Sequence, residues 1–153
     1  MTERLNYYQV APDAVNPLLA LEERFKNGPL SHTLIELVKT RASQINGCAY
    51  CLHMHTSDAL KEGEQPERLF LLDAWRESRM YTPQERAALG WTEAVTRIAE
   101  TAAPDADYEA LKDHFSPEEM VELTLLIATI NAWNRLAICF RAIHPVKVKA
   151  SVA

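Results

Sequence analysis

Apolar side chains recur along this chain at helical intervals. Val15, Leu18, Leu19, Leu21 and Phe25 alternate with charges over residues 15–27, the spacing of an amphipathic helix, and Gly28-Pro29 closes it. A second helix is predicted over 31–45, with Leu34, Ile35, Val38, Ala42 and Ile45 on its apolar face and Ser31 or Thr33 as its cap. A third runs from 48 to 62 and stops at Gly63, a residue suited to a left-handed helix end. Pro66 opens a fourth over 66–76, with Leu69, Phe70, Leu72 and Trp75 inward. Thr82-Pro83-Gln84-Glu85 is cap, proline and reciprocal glutamate in order. It starts a helix to about Glu100 that places Trp91, Val95 and Ile98 inward. Gly90 within it reads as a close helix contact. A short helix follows over 107–114.

Ser116-Pro117-Glu118-Glu119 repeats the cap logic and launches the last helix, 117–142. That helix is apolar nearly all the way round, from Val121 to Ile138. Such a helix is expected to be buried on all sides, partly against another subunit. Cys139, within it, is expected to be a small core hydrophobe. Asn131, Asn134 and Arg135 interrupt the apolar surface and require partners, expected across helices or subunits. Trp75, Trp91 and Trp133 read as core or interface fillers. No segment alternates with period two for long enough to make a sheet. The fold class is therefore all-α, a single-domain helical bundle over 1–153. Residues 1–14 form an N-terminal arm, 15–143 the core and 144–153 a tail.

Composition narrows the function. With 48% apolar and 24% charged residues the chain has the balance of a soluble globular protein. A net charge of −5 without a basic cluster excludes nucleic acid as the expected partner. The first six residues lack the apolar core of a signal peptide. No uninterrupted apolar run reaches membrane-spanning length. The expected compartment is the cytoplasm, where a C-x-x-C pair is catalytic or metal-binding rather than a structural staple.

That pair is Cys48 and Cys51, in Gly47-Cys48-Ala49-Tyr50-Cys51-Leu52-His53-Met54-His55. At about 100° per residue the two thiols lie on one side of a helix, a turn apart, within disulfide reach. His55, four residues after Cys51, shares that side, and His53 points away. Asn46-Gly47 places Cys48 at the helix start, where free N–H groups and the helix dipole favour a thiolate. Glu36 has two readings: the end of a capping box begun by Thr33, or a carboxylate aimed at the next helix. His32, His53 and His114 read as surface or capping residues, and His144 as an interface residue.

With these residues placed, the spacing E-x11-C-x-x-C-x3-H resembles the alkylhydroperoxidase D (AhpD) core of the carboxymuconolactone decarboxylase-like superfamily. The run from Lys39 through Cys48 and Cys51 to His55 is similar to that family's signature throughout. Leu72-Asp73-Ala74-Trp75-Arg76, Thr82 to Leu89 and Asn131 to Arg135 also resemble its small members. The resemblance spans about residues 15–143. It implies an AhpD-like fold assembled into trimers or hexamers. It also implies a thiol peroxidase that acts on a hydroperoxide and is recycled by a dithiol or disulfide reductant, with no cofactor and no metal. By position, Cys51 matches the peroxide-attacking cysteine, Cys48 the resolving one, and His55 with Glu36 the proton relay. Helix-end electrostatics alone would favour Cys48 as the more acidic thiol. Tyr50 stands where AhpD proteins have a histidine, and a phenol is a poor base near neutral pH. Tyr50 is thus an accessory candidate in an altered relay. The decarboxylase branch lacks the dithiol. Two rival readings are a non-enzymatic redox sensor, and a zinc site built from Cys48, Cys51 and His55 with Glu36 or His53.

Overall fold

A computed structural model describes residues 2–145, and every regular element among them is helical. In chain order these are α1 (Tyr7–Val10), α2 (Pro12–Lys26), α3 (His32–Asn46), α4 (Ala49–Lys61) and α5 (Pro66–Phe70). A 3₁₀ turn (Leu72–Ala74), α6 (Pro83–Thr96), α7 (Ile98–Thr101), α8 (Asp105–Lys112) and α9 (Pro117–Phe140) complete them. The all-α expectation holds. Thr82 and Ser116 both form full capping boxes. Ser31, not Thr33, caps α3 by accepting the Leu34 N–H at 3.3 Å. Gly63 takes the left-handed conformation that ends α4. The tail expected over 144–153 lies outside the described residues from 146 onward.

The centre of the bundle is α3, which packs against α4, α6 and α9. Every residue from Leu34 to Ser43 except Glu36 is buried. The sequence pattern pointed instead to the last helix as the one enclosed on all sides. In the structure α9 buries Leu123, Leu126, Ile127, Ile130 and Asn134 but leaves Val121, Leu125 and Ile138 exposed. Cys139 is likewise exposed rather than a core residue. The neighbours of α9 lie on one flank, so the positions between its buried rows face outward. By length and composition α9 is apolar enough to cross a membrane, and about half of its apolar stretch is buried inside the fold.

Several boundaries differ from the pattern. The N-terminal arm contains α1, and Tyr7 is buried. Arg4 fastens this segment to the end of α9, donating from its backbone N–H to the Phe140 carbonyl and from Nη1 to that of Cys139, both at 3.0 Å. The fourth predicted helix stops at Phe70, which is exposed. The carbonyls of Trp75, Arg76 and Ser78, released from helical pairing, accept the Arg86 guanidinium at 2.8–3.0 Å. The helix begun at Pro83 breaks at Arg97, and Ile98 is exposed.

A charged knot locks α3 to α6 and to the chain between α5 and α6. Arg41 pairs with Glu93 and Asp73. Glu93 also accepts the Trp75 indole N–H at 2.9 Å and pairs with Arg76. Burial alone would raise the Glu93 pKa. The Trp75 N–H, Arg76 and Arg41 outweigh it and hold the carboxyl below its usual range. A depressed folded-state pKa contributes stability above the unfolded value of about 4.3 and loses it as pH falls through the folded one. Glu93→Gln is therefore expected to cost about 3 kcal/mol at pH 7. In urea melts the gap from wild type should narrow as pH drops below about 4. A gap independent of pH would show that the charge of Glu93 is not what it contributes.

Gly90 has no crowded neighbour. A Cβ there would sit 3.5 Å from Asp107 Oδ1 and 3.9 Å from the Trp75 ring, ordinary contact distances. The close approach read from the sequence is thus not tight enough to require glycine. Gly90→Ala is expected to raise stability by up to about 1 kcal/mol through helix propensity. A lower melting temperature would contradict it.

Candidate active site

A tight turn brings the candidate residues together. Gly47 ends α3 in the left-handed region, with φ 69°. The Cys48 N–H returns to the Ser43 carbonyl at 3.0 Å. No atom crowds a Cβ at Gly47, so the turn calls for glycine through its backbone angle alone. The chain reverses here, and α4 lies against α3. Cys48 is the N-cap of α4, and its Sγ accepts the Cys51 N–H at 3.3 Å. Cys48 and Cys51 are joined as a disulfide with a Cα–Cα distance of 5.4 Å. Each is 1% exposed.

One turn further along α4, His55 is also buried. Its Nδ1 meets Glu36 Oε2 at 2.9 Å. Glu36 therefore reaches across to α4 and takes no part in capping α3, which resolves its two readings. A carboxylate only accepts, so it fixes the neutral imidazole with the proton on Nδ1 and a lone pair on Nε2. Cys51, His55 and Glu36 line one cavity of about 230 Å³. Cys48 packs behind Cys51 with Tyr7, Ala42, Ile130 and Trp133 and does not line it.

Tyr50 lines the same cavity. So do residues that sequence reasoning left out. Tyr7 and Tyr8 enter from α1, Leu19 and Glu22 from α2, Lys39 from α3 and Trp133 from α9. The Tyr8 ring stacks on Trp133 with centroids 6.0 Å apart. Burial, and then the neighbouring Tyr8, push the Tyr7 phenol well above its ordinary range. Burial raises Tyr8 as well. Both phenols are therefore neutral donors at any physiological pH. Tyr7 and Tyr8 read from the sequence as arm residues that pack on the body or on a neighbouring subunit, and with no helical periodicity around them nothing directs them to this cavity. Lys39 carried a usable signal, since it lies three residues after Glu36 on the same helix face.

Of the residues in the zinc reading, His53 stands apart from the others. His53 is exposed and stacks on His144 at 5.1 Å. Glu36 is engaged by His55. Among the described residues no three His, Cys, Asp or Glu side chains converge as a metal shell.

Comparison with known proteins gives the family and the fold. Residues 12–94 match the carboxymuconolactone decarboxylase family. An uncharacterised Bacillus subtilis protein, YdfG, is 42% identical over 138 residues, covering 90% of this chain and 94% of its own. A protein of unknown function from Agrobacterium tumefaciens is 48% identical and superposes with a TM-score of 0.92 over 95% of this chain and 100% of its own. Its crystal structure carries the suggestion of an antioxidant defence protein, AhpD. A peroxidase-related protein with an alkylhydroperoxidase AhpD core from Ralstonia eutropha shares the fold, with a TM-score of 0.79 at 21% identity over 90% of this chain and 74% of its own.

The expected role of His55 as a base for Cys51 has a measurable signature. In the reduced protein, His55→Ala is expected to move the pH profile of Cys51 alkylation by iodoacetamide upward by about one unit. An unchanged profile would remove His55 from the relay.

Proposed function

The chain belongs to the carboxymuconolactone decarboxylase family, with an AhpD-like fold, and we propose that it is a dithiol peroxidase reducing hydrogen peroxide or organic hydroperoxides. One observation carries the reading. The cavity opens onto Cys51, His55 and Glu36 together, while Cys48 stays behind, bonded to Cys51. An attacking sulfur needs access and a base, and a resolving sulfur needs only reach.

The steps follow from these positions. With the bridge open, His55 Nε2 takes the Cys51 thiol proton, and Glu36 stabilises the imidazolium. The thiolate attacks the terminal peroxide oxygen. An S–O bond forms, the O–O bond breaks, and two electrons pass from sulfur to peroxide. The departing oxygen recovers the proton held by His55. Cys51 is then a sulfenic acid. The Cys48 thiol displaces its hydroxyl as water and closes the disulfide. An external dithiol reopens the bridge by exchange and leaves oxidised. Tyr50 is an accessory donor at the cavity wall, in place of the histidine of AhpD proteins. Association of chains belongs to the same proposal, because Val121, Leu125 and Ile138 are apolar side chains still open to solvent.

A second reading, a redox sensor without turnover, draws support from the capping role of Cys48. Opening the bridge changes the sulfur that accepts the Cys51 N–H and so the start of α4. Turnover separates the two. Given a dithiol reductant, the protein is expected to consume many equivalents of cumene hydroperoxide. Cys51→Ser should abolish this. Cys48→Ser should stop after one equivalent and leave a sulfenic acid that dimedone traps. Full activity in Cys51→Ser would reverse the assigned roles. Loss of one equivalent only, with every reductant tried, would favour the sensor.

A further inference from the structure

The cavity holds a charged group that the steps above leave unused. Lys39 lines it beside Cys51 and His55 and is 5% exposed. Its ammonium pairs with Glu22 Oε2. The other Glu22 oxygen accepts the Trp133 indole N–H at 3.0 Å. The carboxylate is thereby held from both sides, and it fixes the ammonium in turn. An ammonium has three donors, and Glu22 is the one acceptor it meets among the described residues. Burying such a pair is expensive, and an apolar pair of similar volume would stabilise the fold as well or better. Its place on the cavity wall gives it another use.

The reaction develops charge at one atom that His55 does not neutralise in advance. As the O–O bond stretches, negative charge collects on the departing oxygen. Fixed donors aimed at developing charge in a water-poor site are worth far more than the same donors in water. We propose that Lys39 is a catalytic residue of this site, donating a hydrogen bond to the departing peroxide oxygen, and that Glu22 and Trp133 position it. Lys39 keeps its proton throughout. The proton that completes the alcohol is the one His55 took from Cys51, so the balance of the step is unchanged. The inference rests on the peroxidase reading and adds to it the group that favours substrates with poor leaving groups.

Leaving-group dependence tests it. Single-turnover oxidation of the reduced protein is followed with cumene hydroperoxide, which expels a strongly basic alkoxide. It is repeated with peracetic acid, which expels a carboxylate, a far weaker base than an alkoxide. Lys39→Gln is expected to slow the first reaction by about a hundredfold and the second by less than about threefold. When Glu22 is neutralised together with Lys39, so that the net charge of the wall is unchanged, the pH profile of Cys51 alkylation should not move. The double variant Lys39→Gln/Glu22→Gln leaves no unpaired charge behind and should show the same selective loss even if the single variant folds poorly. Equal loss with both oxidants, or an alkylation profile shifted in the double variant, would overturn the assignment, as would a double variant that matches wild type. A wild-type protein that alkylates normally yet reacts with neither oxidant would instead remove the peroxidase reading itself.

Discussion

A charge taken out of water must be met by a partner, and α3 imposes that demand on the rest of the fold. The helix is buried along nearly its whole length, yet it carries Glu36, Lys39, Arg41, Ser43 and Asn46. Each is answered from a different direction. Glu36 is met by His55 of α4, Lys39 by Glu22 of α2, and Arg41 by Asp73 and by Glu93 of α6. Asn134 of α9 donates to Ser43 at 3.0 Å and accepts from Asn46 at 2.8 Å. Asn131 also accepts from Asn46 and passes the network on to Thr96. Apolar contact would hold these helices near α3 in many rotations and registers. The polar pairs select one, because a slip of a single residue strands a buried charge.

The candidate site is a local case of the same rule. Glu36 and Lys39 sit three residues apart on one face of α3. Their partners come from the two helices that flank that face. What lies between is the cavity onto which Cys51 opens. The Gly47 turn then sets the thiol pair at the start of α4, with Cys48 as its cap and His55 one turn beyond Cys51. The dithiol, the imidazole hydrogen-bonded to Glu36 and the buried Lys39–Glu22 ion pair thus follow from one central helix and one reversal of the chain.

This explains what could be read from the sequence and what could not. Cap signals were dependable because they are local. Thr82, Ser116 and Gly63 depend on neighbours within a few residues, and all behave as their chemistry requires. The dithiol side of α4 was legible for the same reason. Burial was harder. Periodicity assigns polar residues to the surface, so α3 read as amphipathic and α9 as enclosed, and the structure exchanges these roles. No pattern within α3 announces that Glu22, Glu93 and Asn134 wait at distant positions to neutralise it. Phe70 and Ile98 failed similarly, since each lies just where a helix breaks for tertiary reasons. The arm was legible as an arm, but the helix inside it was not, because one turn has no period to detect; Tyr7 is buried and Arg4 fastens the segment.

A fold of this kind does not by itself choose a reaction. The all-α bundle supplies two antiparallel helices and a turn; chemistry enters with the side chains mounted there. A C-x-x-C pair on an exposed helix would be a general thiol exchanger, open to any partner. Here both sulfurs are buried, and the small cavity admits a molecule to Cys51 alone. That asymmetry makes the two cysteines inequivalent even though they belong to one turn of one helix. It also opposes the intrinsic tendency of the helix start, which favours the thiolate of Cys48. Access and a neighbouring imidazole act on Cys51, and the helix dipole acts on Cys48. On the proposed peroxidase reading, a small oxidant that must enter the cavity meets Cys51 first, whichever thiol is the more acidic, so access rather than acidity selects the sulfur.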